Sequence, residues 1–337
     1  MVPELSFGHL STLSTPSGLY EHAVLTTPRR NHGFCLDDVA RGLVVTSRAW
    51  EPSASVRELT RTYLRFVVAA QDDRGRFHNR RSVGGAWTDE PSVHDHWGRA
   101  IWGLGTAANS DESDVADIAR GAADIALRAR SPWPRATAYA ALGAYELLRA
   151  QPGDPAALTL LADARVLLGR PAADPSWPWP HERLTYANAV LPEALIVIGA
   201  ALDNDTALSD GLRLLEWLVD QETNGDHLSV TPVGGWQRGE PRPGFDQQPI
   251  EVSALAEACW RAFELTGDPS WAAVVDRCVD WFLGANDAGL ALYDPRSGGG
   301  RDGLHRATVN QNQGAESSLA ALATFQLGRL ASATSVR

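Results

Sequence analysis

The chain has 337 residues, of which 44% are hydrophobic and 21% charged, and no Pro/Gly/Ser-rich linker or charge run divides it. That is ordinary globular composition, and a single domain over 1–337 is the expectation. A net charge of −11 argues against nucleic acid or an anionic membrane as partner.

In chain order, residues 1–33 show no convincing helix and read as irregular or strand-like, so one helix of a regular array is expected to be missing there. Beyond them, apolar residues at i, i+3, i+4 and i+7 predict helices over 35–49, 56–71, 95–107, 113–129, 135–150, 155–169, 187–201, 206–220, 250–265, 270–283 and 315–331. Ser55, Asp205-Thr206 and Asp268-Pro269 supply start signals, and the Gly-Asp-Pro turns at 153–155 and 267–269 close one helix and open the next. Three helices end in related acidic, Gly-containing turns, at Gln71-Asp-Asp-Arg-Gly75, Gln221-Glu-Thr-Asn-Gly225 and Asn286-Asp-Ala-Gly289. Each is followed by a loop and then a more apolar helix, which is an internal helical-hairpin repeat.

Two helix types alternate. Those at 95–107, 135–150, 187–201, 250–265 and 315–331 are rich in Ala, Gly and Leu, whereas 56–71, 113–129 and 206–220 carry charge on one side. Buried helices alternating with half-exposed ones fit an all-α, (α/α)6 toroid with an inner and an outer ring. The long connections, 72–94, 170–186, 221–249 and 284–314, all run from outer to inner helix. They share one rim, where loops of such length in a compact domain carry function.

The inner helices open with polar groups: Asp37 and Asp38; His94, Asp95, His96 and Arg99; Asn188; Glu251; Gln313 and Glu316. Paired carboxylates across a cleft are what glycosidic cleavage needs, one giving a proton and the other activating water or attacking. The catalytic candidates are therefore Asp38, Glu251, Asp95, Asp37 and Glu316. Asp38 is expected to face inward, with Arg41 at i+3 as an ion-pair partner. Sugar rings present apolar C–H faces, and the twelve tryptophans include several in predicted loops. Trp87, Trp179 and Trp236, with His96, Arg99, Asn188 and Gln313, are the expected substrate-binding residues.

No HExxH, paired Cys/His spacing, P-loop, GxGxxG after a strand or GxSxG occurs, so neither metal nor cofactor is expected. Asp37-Asp38 matches no terpene-cyclase pattern, since Arg41 stands where DDxxD needs its last acid and Cys35 where DxDD needs its first. No apolar run reaches bilayer length and the first residues do not form a signal peptide. With three dispersed cysteines, Cys35, Cys259 and Cys278, these features lead to the expectation of a cytoplasmic protein with reduced thiols.

The segments Asn31-His-Gly-Phe-Cys-Leu-Asp-Asp-Val-Ala-Arg41, His96-Trp-Gly-Arg-Ala-Ile-Trp-Gly-Leu104 and Asn312-Gln-Gly-Ala-Glu316 resemble inner-helix openings of the (α/α)6-barrel carbohydrate-active superfamily, in particular bacterial glycosidase-like proteins of that fold. The resemblance implies a six-hairpin barrel, a sugar cleft and a small-molecule carbohydrate substrate, and it transfers no catalytic pair. The same superfamily holds N-acylglucosamine 2-epimerase-like enzymes, polysaccharide lyases and unsaturated glucuronyl hydrolases. Three functions follow as expectations: a glycoside hydrolase; a sugar epimerase or isomerase in which His94, His96, His181 and His305 face the centre; and a non-catalytic glycan-binding toroid. Oligomeric state has no sequence signal.

Overall fold

The computed structural model describes residues 2–334, so the two ends of the expected domain lie outside the described residues. Twelve helices appear in chain order: α1 (Gly8–Leu13), α2 (Leu36–Ser47), α3 (Ala54–Ala70), α4 (Asp95–Ala107), α5 (Ser113–Ala126), α6 (Pro134–Ala150), α7 (Pro155–Leu168), α8 (Val190–Ala201), α9 (Asp205–Gln221), α10 (Pro249–Thr266), α11 (Pro269–Leu283) and α12 (Ala315–Thr334). The even-numbered helices each pack on the next, and α12 returns to α2, so the inner ring closes. The odd-numbered helices lie outside them, giving an (α/α)6 toroid. The expected gap at the N-terminus is real but partial: α1, six residues long, packs on α12 in the sixth outer position.

Residue pattern accounts for the two rings. In α3, Val56, Leu59, Tyr63, Phe66, Val67 and Ala70 are buried while Arg57, Glu58 and Arg65 face solvent, a single apolar stripe. In α8 every residue from Val190 to Gly199 is buried, as an inner helix requires. Caps sit where short polar side chains accept the orphan amides. Asp154 and Asp268 cap α7 and α11 with proline following, as expected. Two starts are shifted, because Ser53 caps α3 and Asn204 caps α9.

The tightest helix pair is α4 with α6. A Cβ placed on Gly98 would run into the backbone of Ala136, one on Gly105 into Gly143, and one on Gly143 into Ile101. Glycine at these positions lets the two main chains touch.

All regular strands among the described residues are two-residue ribbons on the rim loops. Two of them join separate loops: Phe34–Cys35 pairs with Arg80–Arg81, and Arg183–Leu184 pairs with Trp236–Gln237. No helix is long and apolar enough to cross a membrane among the described residues.

Candidate active site

The rim loops surround an open cleft of about 730 Å³ over the starts of α2, α4 and α6. Asp37 comes from α2, Asp95, His96 and Arg99 from α4, Trp133 and Arg135 from the start of α6, and His181, Arg183 and Tyr186 from the loop before α8.

Asp37 and Asp38 are neighbours on a helix and diverge by about 100°. The one that lines the cleft is Asp37, which corrects the expectation that Asp38 would. Arg99 Nη1 donates to Asp37 Oδ1 at 2.5 Å, and Asn79 Nδ2 donates to Oδ2 at 3.1 Å. Burial alone would raise its pKa, but the Arg99 and Arg41 charges override that and hold it at about 2. Asp37 is therefore ionised at any ordinary pH.

Asp38 turns the other way. It is buried, accepts from Arg41 Nη2 at 2.8 Å, and lies beside Glu21 and Cys35. Burial, with Glu316, Glu21 and Asp37 adding to it, pushes its pKa up to about 7 against the pull of Arg41.

Asp95 is the first residue of α4, and its carboxyl makes no hydrogen bond or ion pair among the described residues. Burial raises its pKa above the ordinary carboxylate value, Asp37 adds to the shift, and Arg99, Arg135 and His96 oppose it. One cleft thus holds two carboxylates whose surroundings shift them in opposite directions.

Glu316 lies beside a second, narrower space. Arg41 Nη1 reaches its Oε2 at 2.8 Å, and both side chains line a cavity of about 30 Å³ on the barrel axis, room for about two waters. The rest of its wall is mostly apolar, with Glu193, Glu257, Ser253 and Tyr139 as the other polar residues. At the far end Arg48 pairs with Glu257 and Arg261 with Glu146, each at 2.6 Å.

Glu251 lines neither space. Its carboxylate accepts from the backbone amides of Ala187 and Asn188 and from the Asn188 side chain, so it anchors the turn before α8. Burial, with Glu222 next, pushes its pKa up to about 8 against those donors. Asn188 is fully buried in the same contact and cannot reach a ligand. Gln313, buried as well, holds Ser297 at 2.6 Å and Asp294 at 3.3 Å.

The expected tryptophan platform is also displaced. Trp179 is 2% exposed and stacks on Trp217, because the 170–189 loop folds back into the wall. Trp236 packs edge-on to Trp177 and donates Nε1 to Glu240. Trp87 stacks on His78 under its own loop. The aromatic rings that do line the cleft are Trp133, 52% exposed and stacked on His94, and Tyr186, 39% exposed.

Of the histidines, His94, His96 and His181 line the cleft. His96 is committed, its Nε2 donating to the Phe77 carbonyl at 3.0 Å with Ser92 Oγ at 3.2 Å, and burial keeps it neutral. His305 lies apart, paired with Asp246 at 2.8 Å. Glu21, Cys35 and Asp38 are the one group of possible metal donors close together among the described residues. Arg41 already neutralises Asp38, and burial pushes the Cys35 thiol up, so these donors fit an ion pair better than a cation.

No protein-family model and no curated protein sequence matches the chain. Solved structures do. Cellobiose 2-epimerase from Bacillus thermoamylovorans B4167 superposes with a TM-score of 0.70 at 12% identity, covering 96% of each chain. A D-mannose isomerase gives 0.69 at 10% identity, covering 96% of this chain and 95% of the other. An inactive variant of an α-1,6-mannanase from Salegentibacter sp. HEL1_6, with two consecutive aspartates changed to asparagine and α-1,6-mannotriose bound, gives 0.64 at 11% identity, covering 96% and 98%. The shared feature is the (α/α)6 fold.

Proposed function

We propose that the chain is a carbohydrate-active enzyme, and specifically a glycoside hydrolase whose working pair is Asp37 and Asp95. The observation that carries this is the divergence of two carboxyls on one cleft, Asp37 held at about 2 and Asp95 raised. Environments that push two acids apart divide the roles of base and acid between them. Asp95 would hold its proton and give it to the leaving glycosidic oxygen. Asp37, ionised and fixed by Arg99 and Asn79, would activate water or attack the anomeric carbon. Trp133 offers a flat face for the sugar ring. The mannanase neighbour supports a glycosidase reading of this fold, without a residue-by-residue correspondence. The test is a panel of oligosaccharides with wild type, Asp37→Asn and Asp95→Asn. Turnover should fall by roughly 10³-fold in each variant while binding persists. Undiminished hydrolysis by both variants would sink the assignment.

A second reading has its own support. His181 and His94 both line the cleft, and burial, with the Arg135 charge, holds His181 below the ordinary imidazole value as a neutral base. An epimerase or isomerase using them would exchange a substrate C–H with solvent. Deuterium incorporation at C2 of a free sugar, without glycosidic cleavage, would favour that reading over the first.

A further inference from the structure

Buried guanidiniums in this protein come with a carboxylate. Arg41 meets Asp38 at 2.8 Å, Arg48 meets Glu257 at 2.6 Å, Arg99 meets Asp37 at 2.5 Å and Arg261 meets Glu146 at 2.6 Å. Arg135 is half-buried and, like Arg81, Arg277 and Arg301, has none among the described residues, but of these four it alone lines the cleft. It is the second residue of α6. Its Nη2 donates to Thr185 Oγ1 at 2.9 Å, its Cζ lies 4.3 Å from the centre of the Tyr186 ring, and its Nε is buried with no partner.

Arg183, on the same cleft, donates to the Gly234 carbonyl and also lacks a carboxylate. Glu182 lines the same cleft, but its carboxylate pairs with Arg238 at 3.6 Å. Two guanidiniums without an ion pair, half-buried Arg135 and exposed Arg183, therefore stand on one side of the cleft, in a chain whose net charge is −11. A partly desolvated charge without a counter-ion is costly. Burial works against the Arg135 cation, and Asp95 offsets this only at a distance beyond ion pairing. A guanidinium fork in that state is a ready acceptor for a carboxylate or phosphate.

We propose that Arg135, with Arg183, grips an anionic group on the saccharide, so that the substrate class is an acidic sugar, either a uronate or a sugar phosphate. This rests on the sugar-cleft reading and deepens it. Because α4 and α6 are neighbours, a ring whose anion sits on Arg135 lies beside Asp95.

The test is calorimetric binding to the full chain. Oligogalacturonides are compared with neutral galacto-oligosaccharides of the same length, glucose 6-phosphate with glucose, and inorganic phosphate serves as the anion alone. At least one acidic member should bind ten or more times tighter than its neutral counterpart, and the pair that shows this tells carboxylate from phosphate. Arg135→Gln should abolish the preference and Arg135→Lys should keep part of it, with melting curves confirming that both are folded. Equal binding within both pairs, no binding at all, a preference that survives Arg135→Gln, or inorganic phosphate binding as well as the saccharide would each overturn the proposal. The outcomes separate from the hydrolase reading: acidic sugars bound but never cleaved leave the grip and remove the hydrolase, whereas neutral sugars cleaved without charge preference do the reverse.

Discussion

At the scale of single residues, Asp95 is the group whose protonation governs the proposed chemistry. Its pKa is raised, so the reactive protonated form persists above the ordinary carboxylate range and declines as pH climbs through the shifted value. Asp37 titrates near 2 and imposes no limit above that. The alkaline limb of kcat/KM therefore reports Asp95, and Asp95→Asn should remove that limb along with most of the rate, as read from a pH–rate profile. The sequence put Asp37, Asp95, His96 and Arg99 at the cleft. It misplaced Asp38 because two adjacent acids differ only in helical phase, and phase depends on whether the helix begins at 35 or 36. Arg135 was not legible because the sixth opening, Trp133-Pro-Arg135, carries no carboxylate, amide or imidazole to mark it as a polar opening. The signal is one of position, since Arg135 opens the one inner helix of the ring whose start has no acid.

Among the elements, the rim loops divide into parts that hold and parts that bind, and aromatic content does not distinguish them. Trp179 and Trp133 both sit outside helices, yet one is 2% exposed and the other 52%. Trp179→Ala should destabilise the fold by about 3–5 kcal/mol in denaturant titration. Trp133→Ala should leave stability unchanged and weaken saccharide binding by about 1 kcal/mol. Glu251 belongs with the holders. Glu251→Ala would strip the Ala187 and Asn188 amides of their acceptor and loosen Tyr186 beside them. Hydrogen exchange at those two amides should speed up while the inner-helix amides stay protected, and unchanged exchange would refute the anchoring role. All eleven helices expected from periodicity are present, each within a few residues of its predicted bounds. The loop conformations were not legible, because two-residue ribbons such as Arg183–Leu184 with Trp236–Gln237 pair segments about fifty residues apart and leave no periodic trace.

For the whole molecule, ring closure explains how acids distant in sequence come together, and alternation of apolar and half-charged helices had announced it. What lies on the axis had not been announced. Glu193 is 3% exposed, its carboxyl has no hydrogen bond or ion pair among the described residues, and it is pushed up to about 8 by burial and then by Glu257. Its folded pKa exceeds the unfolded one, so the native state holds a proton that the unfolded chain releases. The stability this contributes is fully present below about pH 4 and is lost as pH rises toward 8. The melting temperature of the wild type should thus sag over that interval, and Glu193→Gln should flatten the curve; parallel curves would show that the carboxyl plays no such part.

The glycine contact between α4 and α6 has a consequence for how this scaffold can change. Asp95 and Arg135 ride on those two helices, and main chain resting on main chain leaves no side chain whose size might alter their separation. The spacing from Asp95 to Arg135 is in effect a ruler cast into the backbone. Selection for a longer or shorter ligand would have to act through the ribbons above, whose exchange leaves the ruler untouched.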